Sequence, residues 1–253
     1  MKNRFIPGFL LAATLGLASA AASADTVRIG IEGAYPPFNT VTASGQLEGF
    51  DVDIARALCT AMKAECTLVA QDWDGMIPAL MARKFDAVVS SMVDTPERAK
   101  QVDFTKPYYR TMLAVAVAKD SDIKDTQPAS FKGKTLGAQS STTQSQYAED
   151  VYGKAGAEIR LYPTPDEAGS DLIVGRLDGV VHDKYPLIEW MNKHSENCCR
   201  LLGDIPGTEG DTSIAVRKGD DALRERFNTA IQTIREQGIY QKISQRYFGM
   251  DIY

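Results

Sequence analysis

Histidine, cysteine and long apolar stretches are scarce in this chain, and each scarcity closes off a class of function. Two of its 253 residues are histidine and four are cysteine. No cysteine pair has the spacing of metal ligands, and with only His182 and His194 to help, a metal site is not expected. The marks of common catalytic sites are absent: there is no Gly-x-Ser-x-Gly elbow, no His-Glu-x-x-His and no phosphate loop. An excess of positive charge is missing too. Lys and Arg number 28 against 33 Asp and Glu, a formal net charge of −5, which argues against nucleic acid or an anionic membrane surface as the main partner. Low-complexity tracts and charge blocks do not occur, and the composition is that of an ordinary globular chain.

What is present begins with an address. Met1-Lys2-Asn3-Arg4 is a basic start, Phe5 to Ala18 is apolar, and Ala22-Ser23-Ala24 puts small residues where a signal peptidase reads. The apolar run is shorter than the roughly 20 residues a membrane span needs, and Pro7 and Gly8 interrupt it. Residues 1–24 therefore read as an export signal cleaved after Ala24, with cleavage after Ala20 as the rival. No later segment is long and apolar enough for a membrane helix, so the mature chain is expected to be soluble. Export makes disulfides available. Cys59 and Cys66 sit at the end of a helix-like stretch and the start of a strand-like one, where a bridge would staple the two together. Cys198 and Cys199 are adjacent. A bond between neighbours closes a strained eight-membered ring, which disfavours it, and the sequence leaves bonded and free states open.

Along the mature chain, strand and helix signals alternate, the pattern that builds parallel sheets with helical crossovers. Val27 to Ile31 is β-branched with period two, and Pro36 and Pro37 cannot continue it. Leu47 to Thr60 reads as a helix entered through Asp51 or Asp53, Cys66 to Ala70 as a strand, Gly75 to Arg83 as a helix and Asp86 to Ser90 as a buried strand. Tyr108 to Ala118 runs long and apolar, and Lys134 to Ala138 starts the alternation again. The restart has an internal echo. Arg83-Lys84-Phe85-Asp86-Ala87-Val88-Val89-Ser90 and Gly175-Arg176-Leu177-Asp178-Gly179-Val180-Val181-His182 follow one template, each after an amphipathic helix (Met76 to Met81; Ala168 to Val174). Two α/β lobes of similar build fit the length. Ligands of such sheets sit beyond the carboxyl ends of the strands, which singles out Glu32 and Tyr35, Ser90 to Val93, Gln139 to Thr143, and His182-Asp183.

These segments carry a resemblance. Ser90-Ser91-Met92-Val93-Asp94-Thr95-Pro96-Glu97-Arg98, then Val102-Asp103-Phe104-Thr105 and Pro107-Tyr108-Tyr109, resemble the signature of family-3 extracellular solute-binding proteins, in particular the lysine/arginine/ornithine- and histidine-binding group, with opine binders nearby. Glu32 to Phe38, Gly49-Phe50-Asp51-Val52-Asp53, Thr142-Thr143-Gln144, Lys242 to Phe248 and the spacing of Cys59 and Cys66 support it. The resemblance implies a two-lobed periplasmic binding protein fold (type II), α/β lobes joined by two crossing strands and closing like a hinge. Lobe one would be residues 25–111 plus 210–253, and lobe two 112–209. It also implies a periplasmic, monomeric, non-enzymatic protein without a cofactor, which passes an amino acid to the membrane permease of an ABC importer.

The ligand set implied by the resemblance has a physical logic. An amino acid brings a carboxylate, an ammonium and a side chain into a closed cleft, and each buried charge must meet a partner. Arg98 would hold the carboxylate as a planar two-pronged donor, helped by backbone N–H groups of Val93 and Thr143. Asp183 would accept the ammonium, its plainer role being a helix cap, and the Ser91 carbonyl would help. Glu32 matches the position that pairs with the distal cation, while Tyr35 and Trp73 match rings that sandwich the side chain. Ser90, Met92 and Thr142 complete the expected set. Two residues depart from the pattern: Val93 stands where relatives carry a hydroxyl, and Gln139 where basic-amino-acid binders carry an apolar residue. Gln139 keeps a longer or more polar ligand, an opine or a citrulline-like one, within reach. Cyclohexadienyl dehydratases share the fold, so an enzyme is the alternative class, and a sensor feeding a membrane receptor is a third.

Overall fold

The computed structural model describes residues 26–194 and 198–253; the export signal and its cleavage point lie outside the described residues. The first half of the chain forms β1 (Thr26–Ile31), β2 (Ala34–Tyr35), β3 (Asn39–Val41), β4 (Leu47–Glu48), α1 (Phe50–Ala61), β5 (Glu65–Ala70), α2 (Met76–Met81), β6 (Ala87–Val88) and β7 (Val102–Thr111). There follow β8 (Leu113–Ala118), β9 (Thr135–Gln139), α3 (Thr143–Tyr147), β10 (Glu158–Tyr162), α4 (Pro165–Ile173), β11 (Gly179–Asp183), α5 (Lys184–His194) and β12 (Cys199–Asp204). The chain closes with β13 (Gly210–Arg217), α6 (Asp221–Glu236) and α7 (Ile239–Phe248).

Two five-stranded sheets result, one ordered β5-β1-β6-β13-β7 and the other β10-β9-β11-β8-β12. The chain passes between them twice, at Met112 and between Asp204 and Gly210. This is the two-lobed α/β architecture. One core, under α1, α6 and α7, packs Ile29, Phe38, Phe50, Tyr109, Phe227 and Tyr240 at 2% exposure or less; fully burying such side chains contributes roughly 1.5–3 kcal/mol each. The second sheet is sandwiched between two clusters, one around Phe131 and Tyr152 and one around Trp190 and Leu172.

The internal echo in the sequence is a repeat in three dimensions. Parallel pairs β5·β1·β6 and β10·β9·β11 share one order, and Gly30 faces Val88 in the first as Gly137 faces Val180 in the second. The turn before each last strand is left-handed, at Arg83 (φ 59°) and Gly175 (φ 74°). Asp86 then accepts the Arg28 N–H at 3.1 Å, and Asp178 accepts the Thr135 N–H at 2.8 Å. A Cβ on Gly30 would come within 2.7 Å of the Phe85 ring, and one on Gly137 within 2.5 Å of Leu177. In both units, then, a glycine lets the apolar residue of the template lie flat across the strand. Continuing the register, Glu32 corresponds to Gln139 and Ser91 to Asp183.

Some local expectations shift. The first helix starts at Phe50 rather than through Asp51 or Asp53, because Leu47–Glu48 pairs with Thr40 and Val41 as β4. Gly49 makes the turn at φ 124°, where a Cβ would sit 2.3 Å from the Phe38 carbonyl oxygen. Tyr108 to Ala118 is two strands, β7 and β8, split at Met112, because the chain changes sheets there. The C-terminal stretch is two helices broken at Gly238 (φ 68°). Cys59 and Cys66 are bridged, Cα atoms 6.1 Å apart, tying the end of α1 to the start of β5. Cys198 and Cys199, left open by the sequence, are also a bonded pair.

Candidate ligand-binding site

The carboxyl ends of β1, β6, β9 and β11 converge between the sheets on a narrow cavity. Both halves of the repeat thus deliver their strand ends to one place, as open α/β sheets do. Glu32, Tyr35, Trp73, Ser90, Ser91, Val93 and Arg98 line it from the first lobe. Gln139, Thr142, Thr143 and Asp183 line it from the second. Of the residues singled out from sequence, Ser140, Ser141 and His182 are not part of the lining, and neither is Met92. Its neighbours Ser91 and Val93 face the cavity, and its own side chain turns the other way into a cluster with Leu80, Phe85 and Val102. Gln144, outside the set expected from sequence, also lines the cavity, and its Nε2 donates to the Tyr35 hydroxyl at 3.2 Å. Its place in the first turn of α3 was the available signal.

Two carboxyls and one guanidinium supply the charge in this lining. Glu32 is buried, its N–H held by Ser90 Oγ at 2.9 Å and its carboxylate accepting from Gln139 Nε2 at 2.6 Å. Burial pushes its pKa up to about 7, the Gln139 hydrogen bond pulls it back, and Asp51, Asp72 and Asp74 push further up. Asp183 is buried at the end of β11 and turns into the cavity instead of capping α5. It accepts from the Tyr35 hydroxyl on one oxygen, while Oδ1 has no partner among the described residues. Burial raises its pKa to about 6 against the opposing pull of Tyr35 and Arg98. An orphaned buried carboxylate oxygen is costly, and a cationic donor is the group that would relieve it.

Arg98 opens a short 3₁₀ turn and reaches the cavity from the first lobe. Nη1 donates to the Val93 carbonyl at 2.8 Å, Nη2 to the Ser141 carbonyl at 3.2 Å, and the guanidinium lies 5.1 Å from the Trp73 ring centre. Burial lowers its pKa to about 10, still far above neutrality, so the charge persists. Trp73 therefore braces Arg98 as well as lining the cavity, and its Nε1 donates to the same Ser141 carbonyl at 3.0 Å. The Tyr35 ring lies 5.2 Å from that of His182. Thr142 caps α3: its Oγ1 accepts the Ser145 N–H at 3.1 Å and donates to the Gln139 carbonyl at 2.6 Å. Thr143 begins the helix, so its N–H is one of the first-turn donors that a helix leaves without an internal partner.

The lobes also meet directly through the Glu32–Gln139, Tyr35–Asp183, Trp73–Ser141 and Arg98–Ser141 bonds. The cavity can thus bracket a small molecule that carries one anionic and two cationic groups, with aromatic surface beside it.

Comparison with known proteins places this geometry. The family model for bacterial extracellular solute-binding proteins, family 3, matches residues 27–250. The L-arginine-binding protein of Pseudomonas aeruginosa is 42% identical, the match covering 100% of this chain and 99% of that protein. The histidine-binding periplasmic protein of Salmonella typhimurium is 35% identical over 96% of this chain and 95% of that one. Among solved structures, an ancestral arginine-binding protein bound to arginine superposes with a TM-score of 0.84 at 34% identity, covering 88% of this chain and 98% of that one. All three are named as binding proteins. The chain belongs to the family-3 bacterial extracellular solute-binding proteins.

Proposed function

We propose that this chain is the periplasmic substrate-binding component of an ABC importer, and that it captures a cationic L-amino acid of the arginine, lysine, ornithine and histidine group. The observation that carries the reading is the charge of the cavity lining: two buried carboxyls and one guanidinium. A cationic amino acid brings the complement, one carboxylate for Arg98 and two cations for Asp183 and Glu32. The relatives named for arginine and histidine support the same class. An opine would bring a second carboxylate, and Arg98 is the only cationic side chain among the described residues that line the cavity.

In this reading lobes 25–111 plus 210–253 and 112–209 rotate about Met112 and residues 205–210. Ligand favours the closed form because only there do all its charges find partners. The closed monomer then docks on the permease after export and cleavage at Ala24. Catalysis is not part of the proposal, since Glu32 and Asp183 each have a ligand charge to neutralise and neither is left for acid–base work. A thermal-shift screen of purified protein against single amino acids tests it. Basic amino acids should raise the melting temperature by several degrees, whereas a preference for glutamate or leucine would overturn the reading.

A further inference from the structure

We infer that Asp51, which does not line the cavity, is a positioning residue that fixes the backbone at Glu32 and Ser91 for a cationic ligand; the inference rests on the ligand reading above. Asp51 is wholly buried in the first turn of α1. Its carboxylate bonds to side chains on β3, on β7 and in the loop after β6. Oδ2 accepts from Asn39 Nδ2 and from Ser91 Oγ, both at 2.8 Å, and Oδ1 accepts from the Tyr108 hydroxyl at 2.8 Å.

Each of those partners leads on to the cavity wall. Asn39 Oδ1 accepts the N–H of Gly33, the residue after Glu32, at 2.8 Å. The Tyr108 oxygen accepts the Ser91 N–H at 2.9 Å, so Ser91 is gripped by backbone and hydroxyl together. Ser91 needs that grip, because its φ of 52° lies in the left-handed region that non-glycine residues seldom occupy. Ser90 next door accepts the Glu32 N–H. A closed ring runs from Glu32 through Gly33, Asn39, Asp51, Ser91 and Ser90 back to Glu32, with Asp51 opposite the acid it holds. Three donors converge on its two oxygens, which a carboxylate meets with acceptors alone and an amide cannot.

The test is calorimetry with arginine and its uncharged isostere citrulline on the full-length mature protein, well below its melting temperature. D51N should bind arginine about tenfold more weakly or worse, with citrulline much less affected, so that the ratio of the two affinities shrinks. S91A and N39A, each cutting one arm of the ring, should give part of that loss, and S91A added to D51N should cost nothing further. A merely structural Asp51 would lower the melting temperature and leave both affinities and their ratio native; that result, or additive losses, overturns the inference. If D51N does not fold, native affinities and a native ratio in both S91A and N39A overturn it instead. Failure of the unaltered protein to bind arginine is a separate outcome, which removes the ligand reading and this inference with it.

Discussion

Glu32 and Gln139 occupy the same position in the two copies of one strand–helix–strand unit, and they meet face to face, Oε1 to Nε2, at 2.6 Å. Both side chains stand at a strand end, Glu32 just after β1 and Gln139 as the last residue of β9, and they meet across the cleft. One is an acid and the other its amide, so the far end of the cavity carries a single negative charge already held by a neutral donor. That donor can stay bonded to one carboxylate oxygen while a cation takes the other.

Removing the charge without changing the shape tests this. E32Q is expected to weaken lysine about a hundredfold, in keeping with roughly 2–3 kcal/mol for a desolvated charge pair. Neutral ligands such as glutamine should change severalfold at most. Equal losses for both, measured by calorimetry, would make Glu32 structural.

The carboxylate end has its own prediction. R98A leaves a ligand carboxylate buried without its forked donor and strips Trp73 of the cation it braces, so all amino acids should lose at least about a hundredfold in affinity. R98K should recover only part of it, because an ammonium cannot make two parallel bonds. Full recovery in a fluorescence titration would show that the geometry is not forked.

Protonation follows from burial, and the direction can be worked out. Glu32 rises to about 7, and Asp51 and Asp183 to about 6, each chiefly through burial. Carboxyls raised in the folded state favour folding below their unfolded values near 4, and that contribution is lost as pH climbs through 6 to 7. Ligand-free protein should therefore melt lower at pH 7.5 than at pH 4.5, with E32Q losing less over the same window. A cation that captures the Glu32 carboxylate expels its proton. Asp183, facing the ligand ammonium, gives up its share as well, so arginine binding should release between one and two protons at pH 6 and almost none at pH 8.5, read from calorimetry in buffers of different ionisation enthalpy. Proton uptake at pH 6 would contradict the account.

The Cys59–Cys66 bridge closes a loop of about eight residues and should contribute about 2.5 kcal/mol through the unfolded chain. C59S with C66S should lower the melting temperature accordingly and leave arginine affinity unchanged, since the bridge stands at the far ends of α1 and β5 from the cavity. A loss of affinity as large as the loss of stability would tie the bridge to the site.

Much of the site was legible because strand ends in a parallel sheet are where ligands go, and the strands announce themselves by β-branched runs. Glu32, Ser90, Gln139 and Asp183 all follow from that one rule and from the template shared by Arg83–Ser90 and Gly175–His182. What escaped depends on contacts between distant segments. Asp51 looked like a helix entry because an acid before an apolar periodic run is the usual signature of one, but Gly49 and the β4 pairing took that role and freed the carboxylate for Asn39, Ser91 and Tyr108. Met92 shares a motif with cavity residues, and its place in the core depends on contacts with Leu80, Phe85 and Val102 that the motif does not announce. The sequence offers Trp73 as a ligand ring; its bond to Ser141 across the cleft has no signal in its neighbours along the chain.

The most direct measurement is a pair of calorimetric titrations at pH 8, arginine against citrulline, on the mature protein. The two ligands share size, carboxylate and α-ammonium and differ in the distal charge. Arginine should bind at least about a hundredfold more tightly, as Glu32 requires. Equal affinities, or a preference for citrulline, would contradict the assignment of this cavity to a cationic amino acid.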